Sequence, residues 1–239
     1  MKKKNIVLIY IIQVIILIGL LFIGYNIINA NIKSNKADKK RDNEEADYKD
    51  LPLNELQKEI GSILDSISST NYTLYLDLYS GKKEKHIVIY HSDNIEKIDI
   101  VNGDKIISNY IDYSSKKYYV MSGSSYNIKS IENDSFISYL KKLFNVYAYV
   151  NHEENNSYYS ITFYNGAIKS YVNSTNNLLY LDGFVLKVDK NYNCHGSYVK
   201  EALINNIDGY QFDIHTGKND YMTITITDVG LDNNISLPN

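Results

Sequence analysis

Residues 72–80 read Tyr72-Thr73-Leu74-Tyr75-Leu76-Asp77-Leu78-Tyr79-Ser80, with leucine at every second position from 74 to 78. Successive side chains of a β-strand point to opposite faces of the sheet. The alternation therefore puts Leu74, Leu76 and Leu78 on one face and Thr73, Tyr75, Asp77 and Tyr79 on the other. A strand with one face in a core and one in water is the expected result.

Working downstream, residues 86–91, 95–101, 105–113 and 117–122 carry similar short runs. Asn102-Gly103 supplies a residue pair that tolerates positive φ, as a two-residue hairpin requires. An antiparallel meander follows. Upstream, Leu53, Leu56, Ile60, Ile63, Leu64 and Ile67 recur at three- and four-residue intervals behind Asp50 and Pro52, the pattern of an amphipathic helix lying on the sheet.

The second half reads in the same way. Phe136, Ile137, Leu140, Leu143, Phe144 and Tyr147 form a helical stripe, and strands are expected at 158–164 and 167–172, joined through Asn165-Gly166. Residues 178–181 and 184–189 read as a hairpin across Asp182-Gly183. A third helix is expected at 197–206, and strands at 210–215 and 221–228 close the chain, for about eleven strands in all. The fold class is thus α+β and β-rich: an antiparallel meander sheet, flat or curled into a half-barrel, with two or three packed helices.

A transmembrane helix precedes this domain. Residues 6–25 carry no charge and one strongly polar side chain, Gln13. At about 1.5 Å per residue, such a run spans the ~30 Å hydrocarbon core. It exceeds the usual apolar length of a signal peptide, and no small-x-small cleavage site follows it, which favours an uncleaved anchor. Lys2, Lys3 and Lys4 abut the apolar run and favour the N-terminus inside; Lys33, Lys36, Lys39, Lys40 and Arg41 on the far side would by strict count give the flipped topology, but they begin later and are interleaved with acids. Residues 1–30 are read as a basic tip and signal anchor, 31–50 as a polar charged linker, and 51–239 as a single β-rich domain outside the membrane.

A net charge of -3 and a pI near 6.0 argue against nucleic acid as a partner. The single cysteine, Cys194, excludes an internal disulfide and, by its position, a lipid-modified N-terminus. The chain has no Trp but 24 Tyr, and its load of Ile, Lys and Asn suits an AT-rich genome such as that of a low-GC Gram-positive bacterium. Sequons at Asn71, Asn155, Asn173 and Asn234 are what abundant asparagine yields by chance.

No motif identifies a catalytic, cofactor or metal site. His86 and His91 lie five apart on one strand and should face opposite sides. Cys194 and His195 resemble a nucleophile and base, but sequence neighbours point apart and no glycine-rich elbow surrounds them. His152-Glu153-Glu154 reads as a polar loop, and Asp77, Asp99 and Asp112 as outward strand residues. Tyr110, Tyr113, Tyr118, Tyr119, Tyr126, Tyr158, Tyr159 and Tyr164 could form an aromatic face for sugars or a partner; tyrosine is also simply a good strand former.

The order of helix, long meander and inserted helix, carried by residues 53–128 and 133–147, resembles the curled half-barrel of the LolA and LppX lipoprotein carriers. That resemblance implies a concave apolar face that holds a lipid or acyl chain. The chain departs from those carriers in keeping an uncleaved span and lacking a lipid-accepting cysteine. The expected role is a non-enzymatic, single-pass envelope protein whose outer domain binds a protein partner as an accessory or assembly component of a membrane complex. The alternative is a binder of lipid or another hydrophobic ligand.

Overall fold

A computed structural model of the chain describes residues 53–238, apart from 133, 146–148, 156–157, 164 and 205–206. The apolar stretch at 6–25 and the linker at 31–50 lie outside the described residues. Among the described residues no helix is long and apolar enough to cross a membrane.

The described strands form one open antiparallel sheet of eleven, in the order β6-β5-β4-β3-β2-β1-β11-β10-β9-β8-β7. Strands β1 (Tyr72–Ser80), β2 (Lys83–Ser92), β3 (Ile95–Asn102), β4 (Lys105–Asp112), β5 (Lys117–Ser122) and β6 (Ser125–Ser130) form one meander. Strands β7 (Tyr149–Asn155), β8 (Tyr158–Phe163), β9 (His195–Ile204), β10 (Ile207–Gly217) and β11 (Asp220–Thr227) form the other wing. The first and last strands join the wings, β1 against β11, with Leu76 opposite Ile224. The leucine-alternating stretch is therefore the centre of the sheet.

Three helices cover one face. Helix α1 (Glu55–Ser68) begins at Asn54, whose side chain accepts from the Gln57 amide while Gln57 Oε1 accepts from the Asn54 amide, a reciprocal capping box. Gln57 also donates to the Phe144 carbonyl at 2.8 Å, tying α1 to α2 (Phe136–Asn145). Beneath the helices, Leu74, Leu76, Ile89, Ile98, Phe212, Ile214, Ile224 and Ile226 have no exposed surface. Each such side chain contributes about 1.5–3 kcal/mol by leaving water.

The structure corrects the reading of the second half. Residues 167–172 are not a strand but part of helix α3 (Asn165–Asn176), in which Ala167, Ile168, Tyr171, Val172 and Thr175 are buried at helical spacing. Residues 178–189 are not a hairpin: Leu179–Leu181 form a 3-10 turn, Asp182 and Gly183 take positive φ, and an extended segment without ladder partners follows. Residues 197–204 are not a helix, because 195–204 form β9, and 205–206 lie outside the described residues; Tyr198 and Ala202 are buried at a spacing of four, which suits a strand as well as a helix. His152-Glu153-Glu154 lies in β7 rather than a loop, and β6 was not foreseen. The strand total survives because these errors offset one another.

Candidate functional site on the open face

The face away from the helices carries an ordered row of rings. Sheet register sets His195 of β9 opposite His215 of β10, His215 opposite Tyr221 of β11, and Tyr221 opposite Tyr79 of β1. Ring centroids are 4.8, 5.1 and 4.4 Å apart, with planes within 6°, 19° and 18° of parallel. These spacings match the distance between strands, so the rings stand upright with faces against one another. Tyr192 closes one end at 5.6 Å, and His86 meets Tyr79 edge-on at 6.1 Å at the other. Because the ring faces are taken up by each other, the hydroxyl and imidazole edges are what the row offers to a ligand.

Next to this ladder runs a polar row. Asp213 accepts from Ser197 at 3.0 Å and from Thr223 at 2.7 Å, and His86 Nδ1 lies 2.7 Å from Asp77 Oδ1. Further along the face, Asp99 accepts from Lys97 at 2.8 Å and Ser108 at 2.6 Å, and the Lys97 ammonium sits 5.1 Å above the Tyr90 ring. Burial first, then the charges of Asp77 and Glu84 with Tyr221, raises the Tyr79 phenol above its ordinary pKa. His215 is held below the usual imidazole value by burial and by His195, with Asp213 opposing.

The other sequence candidates disperse. His86 stands on the open face and His91 on the covered one, as their spacing requires. Cys194 is fully buried, its thiol pushed up to about 11 by burial and the Asp189 carboxylate, while His195 points to the opposite side. Asp112 caps the turn at Ser114 and Ser115, whose donors hold its carboxyl below the ordinary range. The side chains of His152 and Tyr164 lie outside the described residues. Tyr113 and Tyr118 belong to the interior, and Tyr158 is exposed on β8. Among the described residues no three of the His, Cys, Asp and Glu side chains converge as metal ligands.

Tyr79 and Tyr221 did not stand out in the sequence. Their role depends on register, because Tyr79 lies just before one hairpin turn and Tyr221 just after another.

On the covered face a second polar group is sealed in. Glu96, without exposed surface, accepts from Tyr72 at 3.0 Å and Tyr113 at 2.7 Å, and His91 Nδ1 lies 3.5 Å away. The His91 ring stacks on Tyr72 at 4.7 Å. Burial and the Glu96 charge hold both phenols in their protonated form, far above the ordinary value. The cluster lies on the covered face where β1, β2 and β3 run side by side.

No family model matches the chain, and no curated protein matches it.

Proposed function

We propose that the chain is a non-enzymatic, single-pass membrane protein of the bacterial cell envelope whose β-rich domain, held outside the membrane, binds a protein partner. In this reading it serves as an accessory or assembly component of a membrane complex. The observation that carries the proposal is the ring ladder from His195 to Tyr79 on the face opposite the helices. Aromatic residues held in register lose little conformational freedom on docking, and tyrosine joins a large contact area to a polar edge. The uncharged stretch at 6–25 with Lys2, Lys3 and Lys4 ahead of it supports the anchor.

The lipid-binding alternative draws on the open sheet and its apolar face. Leu76, Ile89 and Ile224 of that face are fully buried within the core that α1, α2 and α3 share. An acyl chain would enter only if helices parted from the sheet.

The test is a photo-crosslinking phenylalanine analogue in place of Tyr75, an exposed ring on the same face of β1, in the full chain in cells. A light-dependent adduct of discrete mass is expected from that position and not from Asp65 on the outer side of α1. Equal labelling from both positions, or none from either, would reject the open face as the docking surface. Protease added outside intact cells should remove the domain; protection until lysis would place it in the cytosol.

A further inference from the structure

We propose that the open face docks a lysine- or arginine-rich segment of a protein partner near neutral pH and releases it on acidification, through the imidazoles that stand among its carboxylates. This rests on the partner-binding reading above and gives the partner its chemistry.

Charge is distributed unevenly on this face. Alternation along β1, β2, β3 and β10 turns Asp77, Glu84, Asp99 and Asp213 toward it, against the single ammonium of Lys97 among the described side chains of these strands. Lys97 is already committed to Asp99. The remaining carboxylates flank the ladder, Glu84 opposite Tyr79 and Asp77 opposite His86. With neutral imidazoles the ladder is an uncharged row of polar edges beside a negative border, a surface that complements cations and repels acids.

Three histidines stand where protons would cancel that border. His215 faces His195 from β9, Tyr221 from β11 and Asp213 two positions along its own strand. His195 faces His215 on one side and Tyr192 on the other. His86 faces Asp77 and Tyr79 from β1, with Glu84 on its own strand and the apolar Val101 opposite on β3. Protonated imidazoles here would place positive charge among these carboxylates, with the His195 and His215 rings only 4.8 Å apart. The face would lose its attraction for a basic segment and the parallel stack its neutrality.

The experiment measures binding of a fluorescent arginine oligomer of about nine residues to the full chain in neutral detergent, by anisotropy at constant ionic strength. Affinity near pH 7.5 should be about tenfold higher than near pH 5.5. Replacing all three with glutamine (His86→Gln, His195→Gln, His215→Gln) should reduce that ratio to about twofold or less. Pairing Asp77→Asn with Glu84→Gln should weaken neutral binding about fivefold, while Asp65→Asn on α1 leaves it unchanged. Equal affinity at both pH values, a pH effect that survives the triple variant, or equal losses from Asp65→Asn would each overturn the proposal. Should the peptide ignore this face while the Tyr75 probe still captures its adduct, the basic occupant is wrong and the partner-binding reading stands. Absence of a Tyr75 adduct would reject the open face as a partner's docking surface and overturn this proposal with it, whereas failure of the peptide alone overturns only the basic occupant.

Discussion

The Tyr113 hydroxyl donates a 2.7 Å hydrogen bond to Glu96 Oε2 in the interior of the domain, and Tyr72 donates to the other carboxylate oxygen at 3.0 Å. A buried carboxylate is costly unless its oxygens are satisfied. Here two phenols meet that need, one at each oxygen, at the point where β1, β2 and β3 come together.

Tyr113→Phe removes one of these donors and leaves a charged oxygen without it. Stability should fall by about 1–3 kcal/mol, read as a lower urea midpoint with an unchanged slope. A loss under about 0.3 kcal/mol would show that the carboxylate is held without Tyr113.

Gly196 shows how tightly β9 sits against its neighbours. A Cβ there would strike the Asp213 carbonyl oxygen and come within 2.7 Å of the Phe163 ring. Gly196→Ala should therefore cost about 3 kcal/mol or prevent folding, since the obstructing carbonyl belongs to the sheet ladder and cannot step aside. An unchanged thermal midpoint would show that β9 and β10 can separate at this point.

His215 gives the fold a pH dependence of known sign. Its imidazole is held below the ordinary value in the folded chain, so the unfolded chain binds the proton more readily. The stability it contributes is present above the ordinary imidazole range and is lost as pH falls through the lower, folded value. His215→Gln should flatten that part of the curve of urea midpoint against pH between about 7.5 and 5. A curve with the same slope in the variant would assign the acid sensitivity to other groups.

Much of the first wing was legible from local pattern. Leu74, Leu76 and Leu78 alternate strictly, and the turn expected at Asn102-Gly103 forms one residue later, with Asn102 paired to Lys105 in the ladder and Gly103 taking the positive φ. Where one face is buried and the other wet, period two is an unambiguous signal. The second wing mixes signals. Asn165-Gly166 has the residues of a hairpin turn but opens α3, and Ser197 onward has helical spacing yet pairs on both sides as β9. Local sequence could not arbitrate, because strands buried between two neighbours and helices buried against a sheet both place apolar residues four apart.

The candidate site was less visible still. In the sequence nothing links His86, His195 and His215 to one another, and Tyr79 and Tyr221 read as ordinary strand residues. The ladder joins positions 79, 195, 215 and 221 through four strands drawn from both wings. No spacing within the chain expresses such a row.

By itself the sequence determined that a β-rich antiparallel domain would form, that helices would cover one of its faces, and that His86 and His91 would point apart. These follow from rotation per residue along the chain, which is a local property. Tertiary structure alone decided that β1 pairs with β11, that the aromatic rings line up across the seam, and that Glu96 is sealed beneath two phenols. Those relations depend on which strands become neighbours and in what register, and that choice is made by burying Leu74, Leu76 and Leu78 against Ile226, Ile224 and Met222, residues about 150 positions away.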